Sequence, residues 1–205
     1  MIESSEFYIT TKSARIRCDV MSAEAMCSSL IQYENKQKFD LLCKNGCPNY
    51  EQKWSCPPFA PKYTDFVLDY QKILVVLLST DLSQFSYIKN DYLKIKAANT
   101  ILKSRVDKAL RMFLSEGCHY ISTGSCRMCK PCKCKLGLPC AHPNTMSYSF
   151  ESLGINVSKM AEDLFSFKLQ WYKRSCLPQY TSVVAGLLFN NSFKAHSLLD
   201  AFSYI

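Results

Sequence analysis

Five cysteines crowd one short stretch of this chain. Cys126, Cys129 and Cys132 each stand three positions apart, Cys134 follows, and Cys140 leads into Ala141, His142 and Pro143. Two residues between successive thiolates let a tight loop set three sulfurs on adjacent corners of a cubane. A fourth ligand arrives from further along, and a following proline holds the chain off the cluster. This spacing points to metal, and to iron–sulfur in particular. Zinc more often takes two pairs of ligands separated by a longer stretch. The four-ligand set favoured here is Cys126, Cys129, Cys132 and Cys140. Cys134 either competes with Cys132 or is a spare thiol. His142 is either a ligand or a second donor behind one.

A second group lies upstream: Cys43, Cys47 and then Trp54-Ser55-Cys56-Pro57-Pro58. Gly46 lets the backbone turn just before Cys47. Trp54 and Phe59 either shield a metal site from water or pack in the core. Three thiols are one short of a full set. The fourth position is completed by a remote cysteine such as Cys118 or Cys18, or it stays open for a substrate, as catalytic metal sites do. Cys18, Cys27, Cys118 and Cys176 are isolated, and each is expected to be a small buried hydrophobe.

Twelve cysteines in 205 residues is far above ordinary intracellular usage. A secreted disulfide scaffold is the competing explanation. The N-terminal ten residues carry Glu3 and Glu6 and no apolar core, so no secretion signal is expected there. The longest strongly apolar run, residues 73–78, is too short to span a bilayer. A reducing cytoplasm, no membrane and metal-bound thiolates are therefore the expectation. The formal charge is +8. Arg127, Lys130, Lys133 and Lys135 sit in the second cysteine loop, and Lys94, Lys96, Lys103, Arg105, Lys108 and Arg111 sit on a predicted helix. The favoured reading is a solvated helix face plus counter-charge for an anionic metal site. No nucleic-acid motif accompanies the charge, so nucleic acid is not the expected partner.

The elements that must carry these loops follow from periodicity. Residues 7–10, 14–18, 72–79, 120–123 and 181–189 read as strands, and 72–79 is apolar enough to be buried on both faces. Residues 23–33 read as a helix capped by Ser22, residues 64–70 as a helical turn capped by Thr64, and 158–167 as a helix. Residues 90–116 give the strongest helix signal, with Ile95, Ala98, Leu102, Val106, Ala109, Leu110 and Phe113 at helical spacing and Gly117 placed to end it. A final helix runs to Ala201. Residues 36–61 read as a loop-rich insert. The prediction is one mixed α/β domain over residues 1–205, with projecting cysteine-rich inserts at 43–58 and 124–143.

Taken together, Cys43-x3-Cys47, Trp54-Ser-Cys56-Pro-Pro, Gly124-Ser-Cys126-x2-Cys129-x2-Cys132 and Cys140-x-His142-Pro143 resemble the "predicted metal-binding protein" family of anaerobic bacteria and methanogens. Ser149, Glu151, Gly154, Ile155 and Val157 also resemble that family's pattern after the last cysteine. The resemblance implies a metal-binding, iron–sulfur protein of anaerobes. It departs at Ala141, where the family usually has arginine, and at Cys134, which is an addition.

Three functions compete at this level. The first is a carrier of one or two 4Fe–4S clusters that passes electrons or supports a redox enzyme, docking an acidic redox protein through its lysines. The second is an enzyme that uses an open position at Cys43, Cys47 and Cys56 for sulfur or small-molecule chemistry. The third is a structural zinc module. No Ser–His–acid set, phosphate loop or acid–base carboxylate pair is legible, and with three histidines the cofactor would carry the chemistry.

Overall fold

The computed structural model describes residues 2–114, 117–172, 176–190 and 195–204. Five strands form one fully antiparallel sheet in the order β1-β2-β3-β5-β4. They are β1 (Ile2–Thr10), β2 (Arg15–Met26), β3 (Lys72–Asp81), β4 (His119–Ile121) and β5 (Tyr180–Phe189). The helices are α1 (Lys36–Lys44), α2 (Tyr63–Phe66), α3 (Asp91–Arg111), α4 (Val157–Phe165) and α5 (Ala195–Tyr204). The expected mixed α/β class holds.

The central strand explains the layering. Side chains alternate across a strand, and β3 sends Leu74, Val76 and Leu78 to one face and Ile73, Val75 and Leu77 to the other. The first set packs with Ala98, Leu102, Val106, Ala109 and Leu110 of α3 and with Leu198 and Phe202 of α5. The second packs with Tyr63, Leu153, Ile155, Met160 and Phe165. Both faces are covered, so β3 is apolar from Ile73 to Leu78.

Several predicted boundaries move. The strands expected at 7–10 and 14–18 are longer. Residues 23–33 are not one helix: β2 runs on to Met26, and Cys27–Tyr33 is a 3-10 helix. Ala23, Glu24 and Ala25 favour helix intrinsically, but they pair with Val75, Leu74 and Ile73 of β3, and the ladder overrides propensity. Ser22 is therefore a strand residue, not a cap. Thr64 does not cap α2 either: Lys62 occupies that position, while the Thr64 amide and hydroxyl both donate to Glu34 Oε2. The insert at 36–61 begins with a true helix, α1, whose first turn is capped by the Asn35 side chain accepting from the Lys38 amide. Asn90 caps α3 in the same way. That helix ends at Arg111, short of the predicted end, and Ser115 and Glu116 lie outside the described residues. Gly117 follows at φ 76°, a left-handed turn that glycine accepts freely.

Candidate metal centre

Cys43 stands on the last turn of α1, so the start of that helix fixes the first cysteine. The Asn35 amide donates to Gly154 O at 2.7 Å, and the Asn156 amide donates to Tyr33 O at 2.9 Å. Gly154 has φ 93°, and a Cβ there would lie 2.8 Å from Lys36 Cα. The glycine thus lets the segment after the second cysteine loop lie flush against the first turn of α1. From Cys43 the backbone folds tightly: the Cys47 amide donates to Cys43 O at 2.9 Å, and the Cys56 amide donates to Lys53 O at 3.0 Å.

The three thiols of this loop share one neighbourhood. Burial pushes the Cys43 thiol up, with Cys47 and then the carboxylates Asp40 and Glu151 adding to it. Burial likewise pushes Cys56 up to about 11, against a hydrogen bond from Ser55, with Cys47 and Cys43 both contributing. Cys56 is buried, while Cys43 and Cys47 are half-buried. Cys43 and Cys47 line an apolar cavity of 500 Å³ together with Phe39, Leu42, Val157 and Trp171.

The second loop is held by the C-terminal half of α3. Asp107 accepts a hydrogen bond from Ser122 Oγ at 2.6 Å and pairs with the Arg127 guanidinium. Arg111 Nη1 lies 2.8 Å from Met128 Sδ. Cys126 and Cys140 both flank Tyr148, whose phenol burial pushes up and the two thiols push further. Cys132 precedes the 3-10 turn Lys133–Leu136, and Gly137 closes that turn at φ 65°. His142 is exposed.

The two loops meet, which the sequence leaves open. The Cys126 amide donates to Ser55 Oγ at 3.0 Å, across 71 positions of chain. Lys53 Nζ donates to Cys126 O and to Ser125 Oγ, each at 3.0 Å. Trp54 Nε1 donates to Leu138 O at 2.9 Å, and its ring stands edge-on to Phe59 at 4.7 Å. Neither aromatic joins the buried cores; both stand at the seam. Cys134 Sγ lies 3.8 Å from Glu51 O, so this cysteine packs against the first loop.

None of the twelve cysteines is in a disulfide. Among the described residues no three Cys, His, Asp or Glu side chains converge closely enough to grip a single ion. The donor chemistry nonetheless fits a thiolate-ligated metal. Seven free thiols on two docked loops form a soft donor set, and the candidates other than Cys56 are half-buried at the surface. The isolated cysteines divide. Cys18 and Cys27 are core residues and Cys118 packs against the core, as expected. Cys176 is exposed, against the expectation of burial. Sequence reasoning passed over Lys53, Ser55 and Asp107. Ser55 stands inside the Trp-Ser-Cys-Pro-Pro motif, but only the tertiary contact reveals its task.

An antiparallel sheet with helices on both faces carries two cysteine loops in contact, a cysteine-rich arrangement that suits a metal-binding class of protein. The family described as "Predicted metal-binding protein (DUF2284)" matches residues 29–189, and the chain belongs to that family. No curated protein and no solved structure matches it. No helix among the described residues is long and apolar enough to cross a membrane.

Proposed function

We propose that the two loops hold iron–sulfur clusters, two of the 4Fe–4S kind, and that the chain serves cytoplasmic anaerobic redox metabolism as an electron carrier or as an accessory to a redox enzyme. The hydrogen bond from the Cys126 amide to Ser55 supports this reading, because it brings the loop that carries Cys126 against the loop that carries Cys56. Clusters so placed supply one-electron transfer at a potential tuned by charge, hydrogen bonding and exposure. The protein's part is legible in its own residues. Lys53 lays a cation across the seam and offsets thiolate charge. Trp54, which donates to Leu138 O, packs its ring against Phe59 beside the seam. Lys130, Lys133 and Lys135 are exposed and offer a docking face for an acidic redox partner.

A second reading is favoured by one observation. The 500 Å³ cavity opens on Cys43 and Cys47, the loop with three thiols, and suits a small substrate brought to an open coordination position. Anaerobic purification tests the first reading. Brown protein with about four or eight irons per chain and matching sulfide supports it. Colourless protein with stoichiometric zinc overturns it and leaves a structural zinc module.

A further inference from the structure

A second cavity, of 230 Å³ and mixed polar and apolar lining, lies between α3 and β5, and its polar residues include Asn99, Lys103, Thr123, Glu151, Thr181 and Ser182. Lys103 projects from α3 into it. Among the described residues its ammonium has neither a hydrogen bond nor an ion pair; burial works against its charge, Glu151 and Asp107 favour it through space, and Arg127 opposes it. Thr123 Oγ1 is buried with no partner among the described residues. Asn99 Oδ1 accepts from Thr181 Oγ1 at 2.8 Å, which leaves the Asn99 amide nitrogen without a partner among the described residues. Lys103 and Thr123 also line a small adjoining recess of 80 Å³ with Gly124, Ser125 and Arg127.

Buried polar groups are normally paired, and a half-buried cation beside an unpaired hydroxyl is costly to keep. An oxyanion would answer both, accepting from the Lys103 ammonium and the Thr123 hydroxyl together. The geometry points to a binding site for a small molecule that carries a carboxylate or phosphate at one end. Glu151, Val157 and Trp171 line both this cavity and the one at Cys43 and Cys47. The ligand's apolar remainder runs past Val157 and Trp171 toward those two thiols. Binding itself needs no metal. Only the ligand's role as a substrate rests on the second reading above.

Isothermal titration of the purified metal-loaded protein with inorganic phosphate and with propionate tests the site, with metal content measured on the same sample. Saturable binding of either anion by the wild type supports the site, and the tighter anion names the head group. Lys103→Met weakens it about tenfold or more, Thr123→Val weakens it less, and Lys108→Met, on the exposed face of the same helix, leaves it unchanged. Thermal unfolding verifies that each variant is folded. No saturable heat with either anion overturns the proposal, as does Lys103→Met binding like the wild type or Lys108→Met losing as much. A failure of the metal reading appears separately, in the metal content.

Discussion

Ser55 and Cys126 join the two cysteine loops through a partly buried hydrogen bond: the Cys126 amide donates to Ser55 Oγ at 3.0 Å, and Ser55 is only 1% exposed. Its neighbour Cys56 belongs to one loop and Cys126 to the other, so the bond couples the two donor sets. Ser55→Ala is expected to lower stability by about 1 kcal/mol, a melting shift of roughly 2–4 °C for a chain of this size. It should also speed metal release to a chelator from both loops together. Release altered at one loop alone would show that the bond does not couple them.

Gly154 fixes where α1 begins, and therefore where Cys43 stands. Its φ of 93° is unfavourable for any side chain, and a Cβ would meet Lys36 backbone atoms at 2.8 and 3.0 Å. Gly154→Ala should destabilise by about 1–3 kcal/mol. Gly137 is the control: it also has positive φ, at 65°, but a Cβ there meets nothing within 4 Å. Chemical denaturation should therefore rank Gly154→Ala clearly below Gly137→Ala. Equal losses would mean that backbone strain, not the approach of Lys36, sets the effect.

Cys18 makes a prediction in pH. It is fully buried, and burial pushes its thiol up to about 12, the Thr80 hydrogen bond only partly opposing. The unfolded chain ionises this thiol near pH 9 and the folded chain does not. The unfolded state thus loses its proton first, and the stability contribution, whole below about pH 9, is lost as pH rises toward about 12. The slope attributable to Cys18 is about 1.4 kcal/mol per pH unit inside that window. Cys18→Val should flatten the alkaline stability curve relative to wild type. The same burial should keep Cys18 and Cys27 unlabelled by iodoacetamide in the folded protein, whereas exposed Cys176 reacts. An unchanged alkaline slope in Cys18→Val would contradict this account.

How far the sequence discloses this molecule depends on which force decides each element. Residues 72–79 and the body of α3 are legible because their apolar periodicity matches their burial on both faces and on one face respectively. The end of β2 is not, because Ala23, Glu24 and Ala25 favour helix and only pairing with β3 makes them strand. α1 is hidden behind its own cysteine: attention to Cys43 as a loop ligand obscures the Asn35 cap and the Lys36–Asp40 pair that sustain a helix there. The nearness of Cys43, Cys47 and Cys56 along the chain is local and therefore legible. The docking of Ser55 on Cys126, of Lys53 on Ser125 and of Trp54 on Leu138 joins residues more than seventy positions apart, and no spacing rule reaches that far.

Cys132 and Cys134 compete for one ligand position by spacing, and their surroundings separate them. Cys134 is 9% exposed, and its sulfur faces Glu51 O of the other loop at 3.8 Å. Cys132 is half-buried and stands at the mouth of the 3-10 turn, free of such a contact among the described residues. A sulfur already packed against a carbonyl must break that contact to reach a metal; Cys132 need not. Cys134→Ser should therefore retain the metal content of the wild type, with a stability loss of about 1 kcal/mol from disturbed packing between the loops. Cys132→Ser should lose the metal of the second loop and spare that of the first. Metal analysis of the two variants beside the wild type decides it: if Cys134→Ser loses metal and Cys132→Ser keeps it, the ligand set is Cys126, Cys129, Cys134 and Cys140, and the 3-10 turn must unwind to allow it.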